Sequence, residues 1–220
     1  MWLIFFLLWL GGDLERARDA QDRAALEKMA QQAAAEAQKR PDDAAGQYRL
    51  ALAESYLAEV AIEQRDKNQA HGAAEAGIEA ARRAASMKPD NAEYHRILGT
   101  LCGQAVSSAG LQGLKYGRCA QQEVNKAVEL DPKSAMNYLS RGVGNYYLPP
   151  ALGGGIELAE KDFQKALDLD PKLAEAHLWM GLALRKQNRN AEARKEFQRA
   201  IELNPASVFA KEQLAKTPGS

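Results

Sequence analysis

The sequence predicts an all-α chain, organised as antiparallel helix hairpins laid side by side. Three observations predict it. Prolines at positions 41, 89, 132, 171 and 205 stand 48, 43, 39 and 34 residues apart, so the last interval settles on a period of 34. A small–bulky–small motif precedes the later prolines, as Ala159-x3-Phe163-x2-Ala166 and Ala193-x3-Phe197-x2-Ala200. The same motif recurs more weakly as Gly77-x3-Ala81-x2-Ala84 and Ala120-x3-Val124-x2-Ala127. Finally, the chain is 46% hydrophobic yet only 7% aromatic, and no run alternates apolar and polar residues long enough to argue for a strand. Such a composition suits slim, alanine-rich helices in close contact.

The elements follow in order. Met1 to Leu10 is apolar throughout and is followed by Gly11-Gly12. It is too short for a span, which needs about 20 residues, and matches the apolar core of an export signal in length. It lacks a basic residue in front and an Ala-x-Ala site behind. An atypical export signal or anchor, an apolar helix buried in the array or a partner, and a misplaced start site are the readings it leaves. Residues 13–43 hold a capping helix: Asp13 to Lys39 carries neither Pro nor Gly, and one helix of that length would run about 40 Å. Leu26, Met29, Ala33 and Ala37 recur on one face of it. Four hairpins then occupy about 44–91, 92–134, 135–173 and 174–207. Residues 208–220 form a C-terminal cap, with Ser207 as its N-cap and Val208, Ala210 and Leu214 inward, and a tail.

Within a hairpin each slot has a physical reason. Gly99, Gly142 and Gly181 let the second helix approach, and Ala159 and Ala193 are expected to face the last two. Phe163 and Phe197 supply bulk between hairpins. Asp131-Pro132, Asp170-Pro171 and Asn204-Pro205 stop the helices, because proline lacks an N–H and disfavours helix at the preceding residue. The intervals exceed 34 by 14, 9, 5 and 0 residues, and the excess lies between the two helical motifs of each repeat.

His177-x2-Met180-Gly181-x2-Leu184, followed by Ala193-x3-Phe197-x2-Ala200 and Pro205, resembles the tetratricopeptide repeat (TPR) family over about Ala44 to Pro205. The first aromatic slot departs from the family's Trp and holds Gln47, His95, Tyr138 and His177. The resemblance implies a right-handed α-solenoid with N- and C-terminal capping helices. It also implies a non-catalytic protein–protein interaction scaffold whose first helices line a concave groove for a peptide or helix. Carried onto this sequence, the groove residues are Tyr48, Leu52 and Tyr56, then Arg96 and Thr100. Met136, Leu139, Val143, Tyr146 and Tyr147 follow, then Leu178, Leu182, Arg185 and Lys186. The set is apolar and aromatic with a basic edge, suited to apolar side chains beside an acidic group. Some family members clamp a chaperone's terminal carboxylate with Lys and Asn. The matching positions here, among them Arg96, Thr100, Ser140, Glu175 and Trp179, hold no such set, so that mode is not expected.

Other chemistry finds little support. There is no Cys-x2-Cys, no His-Glu-x2-His, and no Gly-rich loop between strand and helix. Gly153-Gly154-Gly155 lacks a following Lys-Ser/Thr and reads as a turn. His95 and His177 share one slot, which argues for packing. Neither enzyme activity, a metal nor a cofactor is expected. Twenty-nine basic and 29 acidic residues are interspersed, so no basic stripe points to nucleic acid. Cys102 and Cys119, the only cysteines, flank the second insertion; they are a candidate disulfide in an exported protein, or two small packed residues. Two further readings of function stand beside the scaffold: an exported, bacterial-type ligand-binding or transport accessory protein holding a small apolar molecule, and an enzyme subunit with a site in the insertions. Export or a membrane tether through residues 1–10 is favoured over a cytoplasmic location. Leu148-Pro149-Pro150-Ala151-Leu152 either contacts a partner or tucks against the neighbouring hairpin.

Overall fold

The computed structural model describes residues 12–106 and 113–219. The readings of Met1 to Leu10 lie outside these residues. Among the described residues the chain is helical and contains no strand. Residues 12–19 form α1. They are followed by α2 (Arg23–Lys39), α3 (Ala44–Glu63), α4 (Lys67–Met87), α5 (Ala92–Val106) and α6 (Gly113–Leu130). Then come α7 (Ala135–Tyr147), a 3-10 turn (Pro150–Leu152), α8 (Ile156–Leu169), α9 (Ala174–Lys186), α10 (Asn190–Leu203) and α11 (Val208–Lys216).

The chain divides into two compact units, Met1–Glu123 and Val124–Ser220, with the boundary inside α6. Each has its own apolar core. The first packs α2 on α3, α3 on α4, and α5 on both, around Leu26, Val60, Ile78, Ile97 and Leu101. The second packs α7 to α11 in succession, around Leu139, Phe163, Ala183, Phe197 and Ala210.

Side-chain caps mark where five of the helices begin. Asp22, Asp43, Asp66, Ser134 and Ser207 each accept from a backbone N–H of the first turn they precede. Gln21, Arg65 and Asn188 adopt φ of 52°, 64° and 63° and turn the chain sharply out of α1, α3 and α9. The first of these turns corrects the expectation of one helix from Asp13 to Lys39. The chain breaks at Ala20–Asp22, where the Asp22 carboxylate caps α2. Neither Pro nor Gly is needed for that break, because a capping Asp offers the backbone an alternative partner.

The excess residues take three different forms. In the first hairpin α3 and α4 have 20 and 21 residues, against 13 and 14 in α9 and α10, seven more in each. Seven residues are about two turns, so both helices lengthen without rotating their buried faces. In the third hairpin α7 and α8 keep the short lengths of 13 and 14, and the whole excess lies in the connection at 148–155. The second hairpin lengthens α5 and α6 to 15 and 18 and adds residues at 107–112. Cys102 and Cys119 are disulfide-bonded across that hairpin, with Cα atoms 5.9 Å apart.

The side chains nearest to Gly142 and Gly181 are phenylalanines. A Cβ on Gly142 would lie 2.5 Å from Phe163 Cε1, and one on Gly181 would lie 2.7 Å from Phe197 Cε1. Helical side chains lean toward the N-terminus, so each ring covers the turn before its own Cα and reaches the facing glycine. Both rings are fully buried.

The atypical first-aromatic slot keeps one structural duty. Gln47 Nε2 donates to the Pro41 carbonyl at 3.2 Å, His95 Nε2 to that of Pro89 at 2.8 Å, and His177 Nε2 to that of Pro171 at 3.2 Å. The other ring nitrogens of His95 and His177 meet Glu123 and Glu196, each at 2.6 Å. In the third hairpin Asn137 takes the duty from its neighbour Tyr138 and donates to the Asp131 carbonyl at 3.0 Å.

Candidate functional site

The groove residues carried over from the repeat pattern fall into two separate settings. In the first unit they are engaged. The Tyr48 hydroxyl donates to Glu93 Oε1 at 2.7 Å, and the buried Arg96 guanidinium donates to both Glu93 oxygens at 2.6 Å. Burial, with the adjacent Glu93 charge, pushes the Tyr48 hydroxyl well above the usual phenol range. Burial alone would lower the Arg96 guanidinium, but its bonds to Glu93 outweigh that and raise it. Burial opposes the charge of Glu93, yet the Arg96 bonds hold its carboxylate below the ordinary range. Tyr56 is covered from α1, with the Arg18 guanidinium 4.7 Å from its ring centroid and Leu14 and Ala17 buried beside the core. Leu52 and Thr100 are half-buried. Glu93, absent from the groove set, is the hub of this network. Its place one turn before Arg96 was the available signal.

In the second unit Leu139, Leu178 and Leu182 are buried, while Met136 and Val143 pack against the core from its edge. Arg185 turns toward α11, where it donates to the Gln213 side chain at 2.7 Å and to its carbonyl at 3.3 Å. Arg194 adds bonds to the carbonyls of Leu214 and Thr217 at 3.2 and 2.7 Å. Both cations thus answer the negative C-terminal end of the capping helix. The basic edge expected at Arg185 and Lys186 is reduced to Lys186.

What stays open is aromatic. The rings of Tyr146, Tyr147 and Trp179 meet edge to face, with centroids 5.0, 5.6 and 5.9 Å apart. Phe163 supports Trp179 from the core at 6.3 Å. Tyr147 is 67% exposed, whereas every other tyrosine of the chain is buried or half-buried. Lys186 Nζ lies 4.3 Å from the Tyr146 ring centroid and donates to the Tyr146 carbonyl at 3.1 Å. Below, Arg141 donates to both oxygens of the buried Asp162 at 3.0 and 2.6 Å, and Asn145 adds a third bond at 2.9 Å. These bonds fix α7 against α8 and so fix the position of the rings. Leu152 of the Pro-Pro loop and Leu158 of α8 are exposed as well. Trp179 stands outside the groove set. Only its neighbour Leu178 was assigned there, and one residue on a helix turns the side chain by about 100°.

Among the described residues no group of His, Cys, Asp and Glu could hold a metal ion, and no helix is long and apolar enough to cross a membrane.

Comparison with known proteins places this architecture. The family model for regulator of microtubule dynamics protein 1-3 matches residues 13–148, well over half of the chain. The chain belongs to that family. A tetratricopeptide repeat model matches residues 153–208, which hold α8 and the last hairpin. Among solved structures, the Thermus thermophilus TPR protein TTC0263 superposes with a TM-score of 0.64 at 18% identity, covering 94% of this chain and 97% of that one. That likeness shows the TPR fold. MamA covers 89% of this chain and 94% of its own at 17% identity, with a TM-score of 0.46. YrrB, described as a TPR protein with an unusual peptide-binding site, covers 94% and 86% at 18% identity, with a TM-score of 0.44. No curated protein matches the sequence. This family member therefore carries a TPR-matched stretch at 153–208 behind the family-matched residues 13–148, and its described residues contain no strand.

Proposed function

We propose that the chain is a non-catalytic interaction scaffold, and that the face formed by α7 and α9 takes a peptide or helix from another protein. The observation that carries this reading is the exposure of Tyr147 within an ordered aromatic cluster, in a chain of the TPR fold. Aromatic side chains that stay rigid and open are the usual energetic centres of protein interfaces. In the first unit the equivalent face is occupied by α1 and by the Tyr48–Glu93–Arg96 network, so the second unit offers the better surface. The small-molecule reading draws less support, because the rings of Tyr146, Tyr147 and Trp179 lie against one another.

Membership of the family makes the microtubule the first partner to test. Co-sedimentation with polymerised tubulin measures that directly. The face itself is tested with a photo-crosslinking residue at position 147 and, as control, at position 72 on the outer side of α4. Partner adducts at 147 alone support the assignment; adducts at 72 with none at 147 remove it. A tether through residues 1–10 is tested separately, by membrane fractionation with and without that segment.

A further inference from the structure

The aromatic face of the second unit has a hydrogen-bonding character that narrows its occupant. Each of its polar groups can donate. The Trp179 indole N–H and the Tyr146 hydroxyl lack a hydrogen-bond partner among the described residues, and neither is sealed from solvent. Lys186 contributes an ammonium. The Tyr146 backbone carbonyl is already taken by Lys186 at 3.1 Å. The face of the Tyr146 ring also carries the Lys186 cation, which disfavours a cationic ligand there.

From this arrangement we infer that the face formed by Tyr146, Tyr147, Trp179 and Lys186 binds a proline-rich segment in the polyproline II conformation. The inference rests on the scaffold reading above and specifies its ligand. A polyproline II chain has no internal hydrogen bonds, so its carbonyls stay available as acceptors. Proline contributes no N–H, so such a chain presents acceptors without donors and can answer the indole, the phenol and the ammonium of this face. Its rings pack flat on aromatic side chains, and its stiffness lowers the ordering cost of binding. An amphipathic helix has already satisfied its own carbonyls, so its backbone offers no acceptor to the indole and phenol. An acidic peptide would find one ammonium, since Arg185 is committed to α11.

The test is a titration of the full-length, isotope-labelled chain with decaproline, followed by NMR. A Gly/Ser decapeptide and a neutral amphipathic helical peptide serve as controls. Decaproline should bind one to one, shifting the Trp179 indole and the Tyr147 ring while the Gly/Ser peptide shifts neither. Trp179→Phe keeps a ring and removes the N–H, and should weaken binding about tenfold, the loss expected for one buried hydrogen bond. Tyr146→Phe should weaken it several-fold, and Tyr147→Ala at least tenfold. Thermal unfolding of each variant checks that it is folded. Binding that ignores Trp179→Phe and Tyr147→Ala overturns the inference. So does a face that takes the helical peptide and not decaproline, an outcome that leaves the scaffold reading standing. Failure of every peptide at this face, with crosslinks elsewhere, removes both.

Discussion

Gly142 and Gly144 lie two residues apart on α7, and the structure gives them opposite responses to the same substitution. Both are helical, and replacing either with alanine gains about 1 kcal/mol of helix propensity. At Gly144 the added methyl meets nothing within 4 Å. At Gly142 it would lie 2.5 and 2.7 Å from Phe163 Cε1 and Cδ1, and 3.1 Å from Asp162 Cβ. The ring cannot withdraw easily, because Phe163 is fully buried and packs on Trp179. Asp162 cannot move either, being held by Arg141 and Asn145. The propensity gain is common to both variants and drops out of their difference, which leaves the overpacking cost of about 1–3 kcal/mol. Gly144→Ala should be more stable than the parent by up to about 1 kcal/mol, and Gly142→Ala less stable than Gly144→Ala by about 1–3 kcal/mol. Urea unfolding followed by far-ultraviolet circular dichroism measures both. Equal midpoints for the two variants would refute the close approach of α8 to α7.

Three further outcomes follow from the geometry. Glu54 has its carboxyl pushed up to about 7 by burial on α3, without an ion pair among the described residues. The folded state therefore holds a proton that the unfolded state releases near pH 4.5, and stability falls as pH rises between about 4.5 and 7. Glu54→Gln should gain on the parent by about 1–3 kcal/mol between pH 5 and 8, the shift being discounted for partial exposure; a constant difference would contradict this. Reduction of the Cys102–Cys119 disulfide, which closes a loop with a sequence separation of 17, should cost roughly 3 kcal/mol in the parent and nothing in a Cys102→Ala, Cys119→Ala variant. Arg194→Ala removes the bonds to the Leu214 and Thr217 carbonyls, and should speed amide hydrogen exchange in α11 while leaving α7 and α8 unchanged.

Most of the fold was legible in the sequence, for a physical reason. Pro171, Pro205, Phe163, Phe197, Gly142 and Gly181 act locally, within one hairpin, so their spacing alone announces it. The form of each insertion was not legible, because extra residues between two helical motifs read the same whether they lengthen helices or loops. The seven added to each of α3 and α4 preserve helical phase and leave no turn residue as a marker. The break at Ala20–Asp22 was hidden similarly, since Asp22 caps as well as any residue yet is unremarkable within a polar stretch. The candidate site was only half visible. Tyr146, Tyr147 and Lys186 came from the repeat register, whereas Trp179 was matched only to a clamp position and its place among the rings came from the coordinates. Arg185 was misread because its contacts with α11, at Gln213, lie 28 residues ahead. Likewise, nothing in the register of α3 shows that Arg18 from α1 covers Tyr56.

Whether the second unit's aromatic face is where a partner sits can be measured most directly by hydroxyl-radical footprinting of the full chain, alone and with its crosslinked partner purified as a complex. The account predicts that Tyr147 and Trp179 react readily in the free chain and are protected in the complex, while side chains on the outer surfaces of α4 and α10 react equally in both. Protection confined to those outer surfaces, with Tyr147 and Trp179 unchanged, would contradict it.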